Sequence, residues 1–116
     1  MLRDLDSLRD MVLAANRVLR YVENTNQQEF EQDLEKQDSV TYRILILGEA
    51  SKRLSAEFRD KHPNIPWRQI AGMRNMLVHE YDQIDLDVLW DVTQNSIPDL
   101  LGKLSSLANS IEDEQT

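Results

Sequence analysis

The apolar residues of this chain recur mainly at intervals of three and four positions, which is the spacing of one face of an α-helix. Runs of β-branched residues typical of strands are missing, and glycine and proline occur only three times each. The first stripe predicts a helix of about five turns that ends near Asn24-Thr25-Asn26. Its members are Leu5, Leu8, Met11, Val12, Ala15, Val18, Leu19 and Val22. A short helix is predicted around residues 28–34, because Phe30 and Leu34 lie four positions apart.

Capping residues and prolines bound the next two helices. The second long helix is predicted to begin at Asp38 or Ser39, either of which can cap a helix. It should stop before His62-Pro63, because the residue before a proline is pushed out of the α region. Pro66 suits the first position of a third helix, where its missing N–H costs nothing, and that helix should fade near residues 79–81. The apolar side of the third helix comprises Ile70, Met73, Leu77 and Trp67.

The predicted inner face of the second long helix contains charged residues. Glu49 and Arg53 lie four positions apart on this otherwise apolar stripe. Gly48 and Ala50 are small, so another helix can come close to them. The whole face is predicted to consist of Tyr42, Leu45, Ile46, Glu49, Ala50, Arg53, Leu54 and Phe58.

A last helical stretch begins near Leu86 and contains Pro98, which must kink or break it near Ser96. We favour a kink or two collinear helices, because the apolar pattern resumes at once. Residues 111–116 form an acidic, polar tail that should fray. No repeat and no long linker divides the chain, so the prediction is one all-α domain over residues 1–116. Its expected architecture is an up-and-down bundle of four to five helices.

Composition limits the class of protein further. A chain of 116 residues has room for one domain and one core. It contains no cysteine, so disulfides and thiolate metal sites are excluded. Its first ten residues are charged throughout and lack the apolar segment of a secretory signal, and nowhere do 18 apolar residues run together. These features predict a soluble, cytoplasmic protein with no membrane segment.

The charge balance is strongly acidic. Acidic residues outnumber basic ones by 21 to 13, which gives a formal charge of −8. This argues against a surface that grips nucleic acid broadly, because such affinity comes mainly from Lys and Arg on phosphates. Any nucleic-acid chemistry therefore needs a local basic patch or a basic partner, and composition does not choose between them.

One segment, residues 72–82, concentrates side chains capable of acid–base and phosphate chemistry. Arg74 can hold a phosphate through its planar guanidinium, which does not lose its charge. His79 can give or take a proton near neutral pH. Asn75 and Tyr81 complete a group that spans eight positions. Arginine and histidine suffice for metal-free RNA cleavage, in which histidine acts on the 2′-hydroxyl or the leaving oxygen and arginine stabilises the negative transition state.

The spacing of Arg74 and His79 sets a geometric condition. Five residues at roughly 100° each place them about 140° apart on a regular helix. They do not share a face unless the helix ends or tightens near His79, or the arginine reaches around. A twofold dimer removes the difficulty, because it sets one patch against its own copy. We therefore expect a catalytic site here to be composite.

Residues 65–81, IPWRQIAGMRNMLVHEY, closely resemble the hallmark of HepT-like proteins of the HEPN superfamily. That hallmark is an arginine, usually followed by asparagine or another polar residue, with a histidine four to six positions on and here a following x-Tyr. The hallmark positions are filled by Arg74, Asn75, His79 and Tyr81. Residues 46–55 and 85–98 also look like the family, so the resemblance spans about residues 40–104.

The resemblance implies an α-helical bundle that dimerises and sets two such motifs in a cleft. It implies a metal-independent ribonuclease that needs no cofactor and is the toxin of a type II-like or type VII-like toxin–antitoxin pair. The usual partner is a small nucleotidyltransferase of the MNT type, thought to neutralise the toxin by transferring AMP to the motif tyrosine, here Tyr81. Glu49, Lys52 and Arg53 match family positions on the helix expected to face the motif, where they would support the site.

Plainer interpretations exist for the same residues. His79 can simply close a helix, with its ring bonded to a backbone carbonyl, and Arg74 can be ion-paired to Glu49. Asn75 can bond backbone only, and Tyr81 can cover the helix end. His62 is interpreted as a loop residue. Two aromatic residues are expected in the core or at a dimer interface, Trp67 and Trp90.

A second functional hypothesis belongs to another class of protein. The chain can be a non-catalytic helical subunit that docks to a nucleotidyltransferase as its substrate or regulator. The acidic charge fits this hypothesis somewhat better, since a dimer carries −16, twice the charge of one chain. No metal site is expected in either case, because no second histidine or carboxylate cluster accompanies the motif at ligand spacing.

Overall fold

The computed structural model describes residues 2–115, and side-chain burial is described for residues 3–114. This part of the chain is helical with short turns, which confirms the all-α prediction. The helices are α1 (Leu2–Tyr21), α2 (Gln27–Glu31), α3 (Leu34–Arg53), α4 (Ala56–Lys61), α5 (Trp67–His79), α6 (Leu86–Asp91) and α7 (Ile97–Gln115). A π-helical segment, Val92–Ser96, joins the last two. Among residues 2–115, no helix combines the length and apolarity needed to cross a membrane.

The long helices pack around one hydrophobic core. Helix α1 lies along α3 and α7, and α5 packs against the other side of α3. The apolar stripes predicted for the first, third and last helices all contribute to this core. Its largest fully buried side chains are Phe30, Leu5, Leu8, Met11, Ile44, Leu47, Ile65, Ile70, Leu77, Leu89, Ile97 and Leu104. Burial of these side chains is the main stabilising contribution to the bundle.

Asparagines shape the turn between α1 and α2, where the sequence predicts a helix end. Asn24 has a φ of 57°, a left-handed conformation that asparagine tolerates better than most residues. Asn26 caps α2 by accepting a hydrogen bond from the backbone N–H of Glu29, whose carboxylate accepts from the Asn26 N–H in return. This reciprocal capping stabilises a helix of only five residues.

Helix α3 begins earlier than predicted. Its N-cap is Asp33, whose carboxylate accepts from the backbone N–H of Lys36 at 3.0 Å. The predicted start at Asp38 or Ser39 is therefore wrong. Both residues lie inside the helix, and the Ser39 hydroxyl donates back to the carbonyl of Glu35 at 2.8 Å, as serine does in a helix interior.

A break that the sequence interpretation missed separates α3 from α4. The prediction continued one helix up to the residue before His62, but Leu54 is extended and Ser55 starts a new helix by accepting from the N–H of Phe58. The buried carboxylate of Asp4 accepts from both the backbone N–H and the hydroxyl of Ser55, each at 2.9 Å. A contact with α1 therefore fixes this turn.

The buried face of α3 is rotated from the predicted one. Tyr42 is 54% exposed, and the side chains of Glu49 and Arg53 are 45% and 55% exposed. The residues that face the core are Val40, Ile44, Leu47, Gly48, Ala50, Ser51 and Leu54. The prediction was wrong for Tyr42, Glu49 and Arg53, because apolar residues occupy more than one side of α3 and a serine lies on its inner face. It was right for the buried Ala50 and Leu54, and its remaining members, Leu45, Ile46 and Phe58, are partly buried against the core. The rotation leaves Glu49 accessible from solvent.

Both tryptophans are partly buried and pack against the core. The Trp67 indole N–H donates to the backbone carbonyls of Arg59 and His62, and Trp90 lies 5.3 Å from Phe30 between ring centroids. The core interpretation of these aromatics is confirmed. Pro66 is the N-cap of α5 rather than its first residue, so the predicted start of this helix is off by one position.

The proline of the last helical stretch lies directly after the π-helical segment. Pro98 has no N–H to donate, and its ring clashes with the carbonyl four positions earlier in a regular helix. The N–H of Ile97 instead bonds the carbonyl of Val92, five positions back. The axis thus continues into α7, as the interpretation of two collinear helices expects. Helix α7 runs to Gln115, so the predicted fraying is not found over residues 111–115, and Thr116 lies outside the described residues.

Candidate active site

Gly48 allows α5 to approach α3 very closely at Arg74. A Cβ atom added to Gly48 would lie 2.5 Å from the Arg74 Cβ and 2.6 Å from its Cγ. Real side chains do not make such contacts, so residue 48 must be glycine in this arrangement. The expectation that another helix approaches Gly48 is confirmed. The close packing holds the base of the Arg74 side chain against α3.

The Arg74 guanidinium is held by Glu49 and Asn75. Its Nε and Nη2 donate to the Glu49 Oε1 at 3.1 and 2.8 Å, and its Nη1 donates to the Asn75 Oδ1 at 3.1 Å. Lys52 approaches the second carboxylate oxygen of Glu49 at 3.9 Å. The ion pair expected by the plainer interpretation of Arg74 is therefore present. Asn75 bonds a side chain here rather than backbone alone.

The environment of Glu49 favours its ionised form. The hydrogen bond from Arg74 lowers the pKa of this carboxyl below its ordinary value. Desolvation opposes this effect and is the next largest, and the charges of Arg74, Lys52 and Arg53 each lower the pKa further by a smaller amount. Glu49 is therefore a carboxylate at neutral pH and a lasting partner for the arginine.

Arg74 keeps donors for a further ligand. A guanidinium has five N–H groups, and three of them are used by Glu49 and Asn75. One N–H on Nη1 and one on Nη2 have no partner among residues 2–115, and the side chain is 24% exposed. Two donors on neighbouring nitrogens match a phosphate. The arginine can thus bind a phosphate group while its ion pair stays intact.

His79 and Tyr81 lie at the open end of α5. His79 is the last residue of this helix, and the N–H of Glu80 closes it by donating to the carbonyl of Met76 at 2.9 Å. The exposed imidazole makes no hydrogen bond with any side chain or backbone group of the described chain, so it does not serve as the helix cap. Tyr81 follows two positions later and is 77% exposed.

The structure brings only some of the singled-out residues together. Arg74 and Asn75 on α5 meet Glu49 on α3, whereas Arg53 turns to α1 and pairs with Asp10 at 2.9 Å. His79 lies about 7.5 Å further along the axis of α5 and about 140° around it, because the helix continues through this residue. The arginine and the histidine of one chain therefore point in different directions.

Sequence reasoning missed the polar partners contributed by α1. Asp10, which binds Arg53, and Asp4, which binds Ser55, are separated from their partners by 43 and 51 positions. No local spacing in the sequence indicates such pairs. No group of three or more His, Asp or Glu side chains within residues 2–115 is placed to hold a metal ion.

Known proteins similar to this chain are named as ribonucleases. The family described as "Ribonuclease HepT-like" matches residues 11–107. A protein of Thermococcus cleftensis named "Probable ribonuclease HepT" is 36% identical over 102 residues, which cover 88% of this chain and 93% of that protein. A protein of Methanocaldococcus jannaschii with a name that describes it as an RNase is 34% identical over 91 residues, or 78% of this chain and 84% of the relative.

A second protein of Methanocaldococcus jannaschii, also named as an RNase, is 33% identical over 86 residues, which cover 74% of this chain and 71% of the relative. No solved structure gives a significant match. The family match covers most of the chain and includes the whole α3–α5 contact and the end of α5. The chain belongs to the HepT-like family of ribonucleases, within the HEPN superfamily.

Proposed function

We propose that this protein is a metal-independent endoribonuclease and acts as the toxin of a toxin–antitoxin pair, with a composite site at a homodimer cleft. The observation that carries the proposal is the state of Arg74, which is fixed by Glu49 and Asn75 and still has two N–H donors that no residue in the described part of the chain uses. His79, the proton carrier of the same helix, is exposed. Both groups that RNA cleavage needs are therefore available to a substrate.

The chemistry follows from these two side chains. Arg74 binds a non-bridging oxygen of the scissile phosphate, and Asn75 helps to orient the guanidinium. The 2′-oxygen attacks phosphorus, a 2′,3′-cyclic phosphate forms and the bond to the 5′-oxygen breaks. One copy of His79 takes the proton of the 2′-hydroxyl, and the copy of the second chain gives a proton to the leaving oxygen. Arg74 stabilises the charge that develops on the phosphate oxygens.

A dimer accounts for the different directions of Arg74 and His79 within one chain. Apolar side chains flank the Glu49–Arg74 pair at i,i+4 spacing, with Leu45 on α3 and Val78 on α5. Val78 is 41% exposed, whereas the other exposed residues of α5 are polar or small. Exposed apolar side chains such as Val78 are typical of the positions that an interface covers. A second copy on this surface would place its own motif beside the first.

The decisive experiment is RNA cleavage by the purified protein in EDTA, with His79→Ala as the control made by the same procedure. We expect the wild-type protein to cut RNA and the variant to lose cleavage without a change in thermal unfolding. The histidine supplies proton transfer, which contributes about 10²–10⁴-fold to such rates. Equal cleavage by both proteins would mean contamination or another site and would overturn the assignment of His79.

The neutralising partner in this proposal is a nucleotidyltransferase of the MNT type that modifies Tyr81. The phenol oxygen attacks the α-phosphorus of ATP, a phosphodiester to AMP forms and pyrophosphate leaves. The 77% exposure of Tyr81 supports this role, since an enzyme must reach its hydroxyl. An AMP group two residues from His79 adds bulk and negative charge where an RNA phosphate would bind.

Intact mass after incubation with ATP and the neighbouring nucleotidyltransferase tests the modification. The wild-type protein should gain AMP, and Tyr81→Phe should not. Tyr42→Phe is the matched control, because Tyr42 is also well exposed at 54% but lies on α3, away from the motif. The proposal that Tyr81 is modified would be refuted if Tyr81→Phe gained AMP. It would also be refuted if the wild-type protein and both variants all failed to gain AMP.

The competing hypothesis of a non-catalytic subunit is favoured by the formal charge of −8, which opposes RNA binding at long range. Under that hypothesis the protein forms a complex with the nucleotidyltransferase and is modified at Tyr81, but the purified dimer does not cut RNA. The cleavage assay in EDTA separates the two hypotheses without any need for the partner.

A further inference from the structure

An open groove of about 1010 Å³ lies between the end of α1 and the first half of α3. Three arginines line it, Arg17 and Arg20 from α1 and Arg43 from α3. Glu23 is the carboxylate that lines it with them. The groove is therefore positively charged, although the chain as a whole carries −8. None of its arginines belongs to the family motif or to the Glu49–Arg74 contact.

The groove arginines differ from most other basic residues in their lack of acidic partners. Within residues 2–115, none of the three has a carboxylate oxygen within ion-pair distance. By contrast, Arg9, Lys52, Arg53, Lys61, Arg74 and Lys103 all pair with Asp or Glu. Three cations and one carboxylate, Glu23, leave the groove with a net positive charge, so an anionic ligand in the groove would be bound favourably.

Arg43 is also held in place before any ligand arrives. Its Nε donates to the hydroxyl of Tyr21 at 3.1 Å, and its guanidinium carbon lies 5.1 Å from the centre of the Tyr42 ring. The terminal nitrogens of Arg43 make no hydrogen bond with described residues, so they can bind a ligand. Tyr42 lies at the edge of the groove rather than in its lining; it is 54% exposed, and its ring is next to Arg43. Cations beside an exposed aromatic ring are typical of surfaces that bind single-stranded nucleic acid.

The groove and the proposed cleavage site both use α3. Arg43 precedes Glu49 by six positions, which is about 9 Å along the helix axis and about 120° around it, so the two side chains leave α3 in different directions. A neighbouring cavity of about 350 Å³ shares Arg20 and Tyr21 with the groove and is also lined by Lys36, Asp33 and Glu35. Because these carboxylates oppose the cations, the favourable path for a polyanion lies along Arg17 and Arg43 rather than into that cavity.

We propose that this groove binds the phosphodiester backbone of single-stranded RNA outside the cleavage site, with Tyr42 as a platform for one base. The identity of the ligand as RNA rests on the proposed ribonuclease function, whereas the groove itself takes no part in the cleavage step. The groove would give an acidic protein the local basic surface that RNA binding requires. The groove would increase the affinity for the RNA substrate and leave the rate of cleavage within the protein–RNA complex unchanged.

Binding of a fluorescent 2′-O-methyl oligouridylate to the full chain tests this proposal, because this probe has no 2′-hydroxyl and cannot be cleaved. Anisotropy titrations at several salt concentrations give both the affinity and its salt dependence. We expect Arg17→Gln, Arg20→Gln and Arg43→Gln each to weaken binding and to reduce the slope of log K against log salt by roughly 0.7 per lost phosphate contact. Tyr42→Leu should weaken binding about tenfold with little change in slope.

Arg68→Gln is the matched control, because Arg68 is exposed on α5, forms no ion pair within residues 2–115 and lies outside the groove. It should bind the probe like the wild-type protein. Arg20→Lys keeps the charge and should restore most of the binding lost in Arg20→Gln. Arg20 makes no side-chain hydrogen bond with described residues, so its substitution tests the groove without disturbing the fold.

Equal affinities and slopes for the groove variants and Arg68→Gln would overturn the proposal. Unchanged RNA binding together with loss of binding to polyglutamate would also overturn it and assign the groove to an acidic protein partner. Groove-dependent RNA binding without cleavage in EDTA would uphold the groove and refute the nuclease assignment. Normal cleavage together with RNA binding that does not depend on the groove would refute the groove proposal and uphold the nuclease assignment.

Discussion

Two polar contacts near the C-terminal end of α3 are both built on a carboxylate that accepts two hydrogen bonds, but they have different roles. At the turn after α3, the carboxylate of Asp4 is 6% exposed and accepts two hydrogen bonds from Ser55, which in turn caps α4. At the contact with α5, Glu49 accepts two hydrogen bonds from Arg74, but its side chain is 45% exposed. The first contact is closed, whereas the second leaves two N–H groups of Arg74 without partners among residues 2–115.

The difference separates polar groups that stabilise the fold from those that are free to act. A buried group with every partner present contributes to stability, and nothing outside the protein can use it. A partly exposed ion pair contributes little to stability, because water screens it. Its unused donors are instead available to a ligand. Substitutions at the two contacts should therefore have opposite effects on stability and on activity.

Removal of the Arg74 side chain should produce the largest effect, and it should be on activity. Arg74→Ala takes away the donors for the scissile phosphate, so the cleavage rate should fall about 10²–10³-fold. Thermal unfolding should change less than cleavage does, because the lost ion pair is partly exposed, with 24% of the Arg74 side chain and 45% of the Glu49 side chain accessible. Initial rates on a labelled RNA measure the cleavage rate, and a melting curve measures the thermal stability. A large loss of stability with retained cleavage would mean that the Glu49–Arg74 contact stabilises the fold and does not serve catalysis.

The opposite result is expected at Asp4. Asp4→Ala leaves the N–H and hydroxyl of Ser55 without their acceptor, which should lower the free energy of unfolding by about 1.5–3 kcal/mol. RNA cleavage below the melting temperature should stay close to the wild-type rate. Asp6→Ala is the control, because Asp6 is exposed on the same helix and pairs with Arg9 only at 3.8 Å. Its urea unfolding curve should match the wild type, and similar losses in both variants would contradict the proposed role of Asp4.

Gly48→Ala should affect stability and activity together. The new methyl group would overlap the Arg74 side chain, so α5 must move away at a cost of about 1–3 kcal/mol. The same movement displaces Arg74 and should lower the cleavage rate. Gly72→Ala is the matched control within α5: a Cβ there meets nothing within 4 Å. It should stabilise the helix by up to about 1 kcal/mol with cleavage unchanged.

Equal stability of the Gly48→Ala and Gly72→Ala proteins would mean that the helices separate without cost. The close approach of α5 would then have no role in holding Arg74.

The fold was predictable where each helix has a single apolar side. The stripes of α1, α5 and α7 predict their buried faces correctly, because most of the remaining surface of each helix is polar, with Leu13 and Val78 as exposed apolar exceptions. Helix α3 has apolar residues on several sides and buries Ser51, so its pattern fits more than one orientation. Its start was misplaced because Asp33, Asp38 and Ser39 are all capable of capping. Only the three-dimensional structure shows that Asp33 does so.

The candidate site also contains residues that the sequence predicts and residues that it does not. Arg74, Asn75, His79 and Tyr81 were predicted because they lie within eight positions, where their joint chemistry is visible in the sequence. Their partners come from elsewhere in the chain. The small size of Gly48 indicated a close approach of some helix, but not that the approaching residue is Arg74. The direction of Arg53 toward Asp10 depends entirely on how α1 packs on α3.

Glu49→Gln should give the smallest and most specific effect. Glutamine keeps the shape of the side chain but removes the charge that fixes Arg74. We expect kcat to fall on the order of tenfold, because the guanidinium is less well oriented in the transition state. KM for RNA should fall as well, since a negative charge beside the phosphate is lost. A merely structural role of Glu49 would not lower both parameters.

The pH dependence of this variant provides an independent test. Arg74 lowers the pKa of Glu49 in the folded protein, so the pair stabilises the fold above the ordinary glutamate pKa of about 4.3 and is lost as pH falls through the lowered value. The difference in melting temperature between wild type and Glu49→Gln should be constant from pH 8 to about 5 and then shrink in acid. Glu49→Asp keeps the charge and should retain the acid-dependent loss. A difference that is independent of pH would mean that charge is not what binds Arg74 to α3.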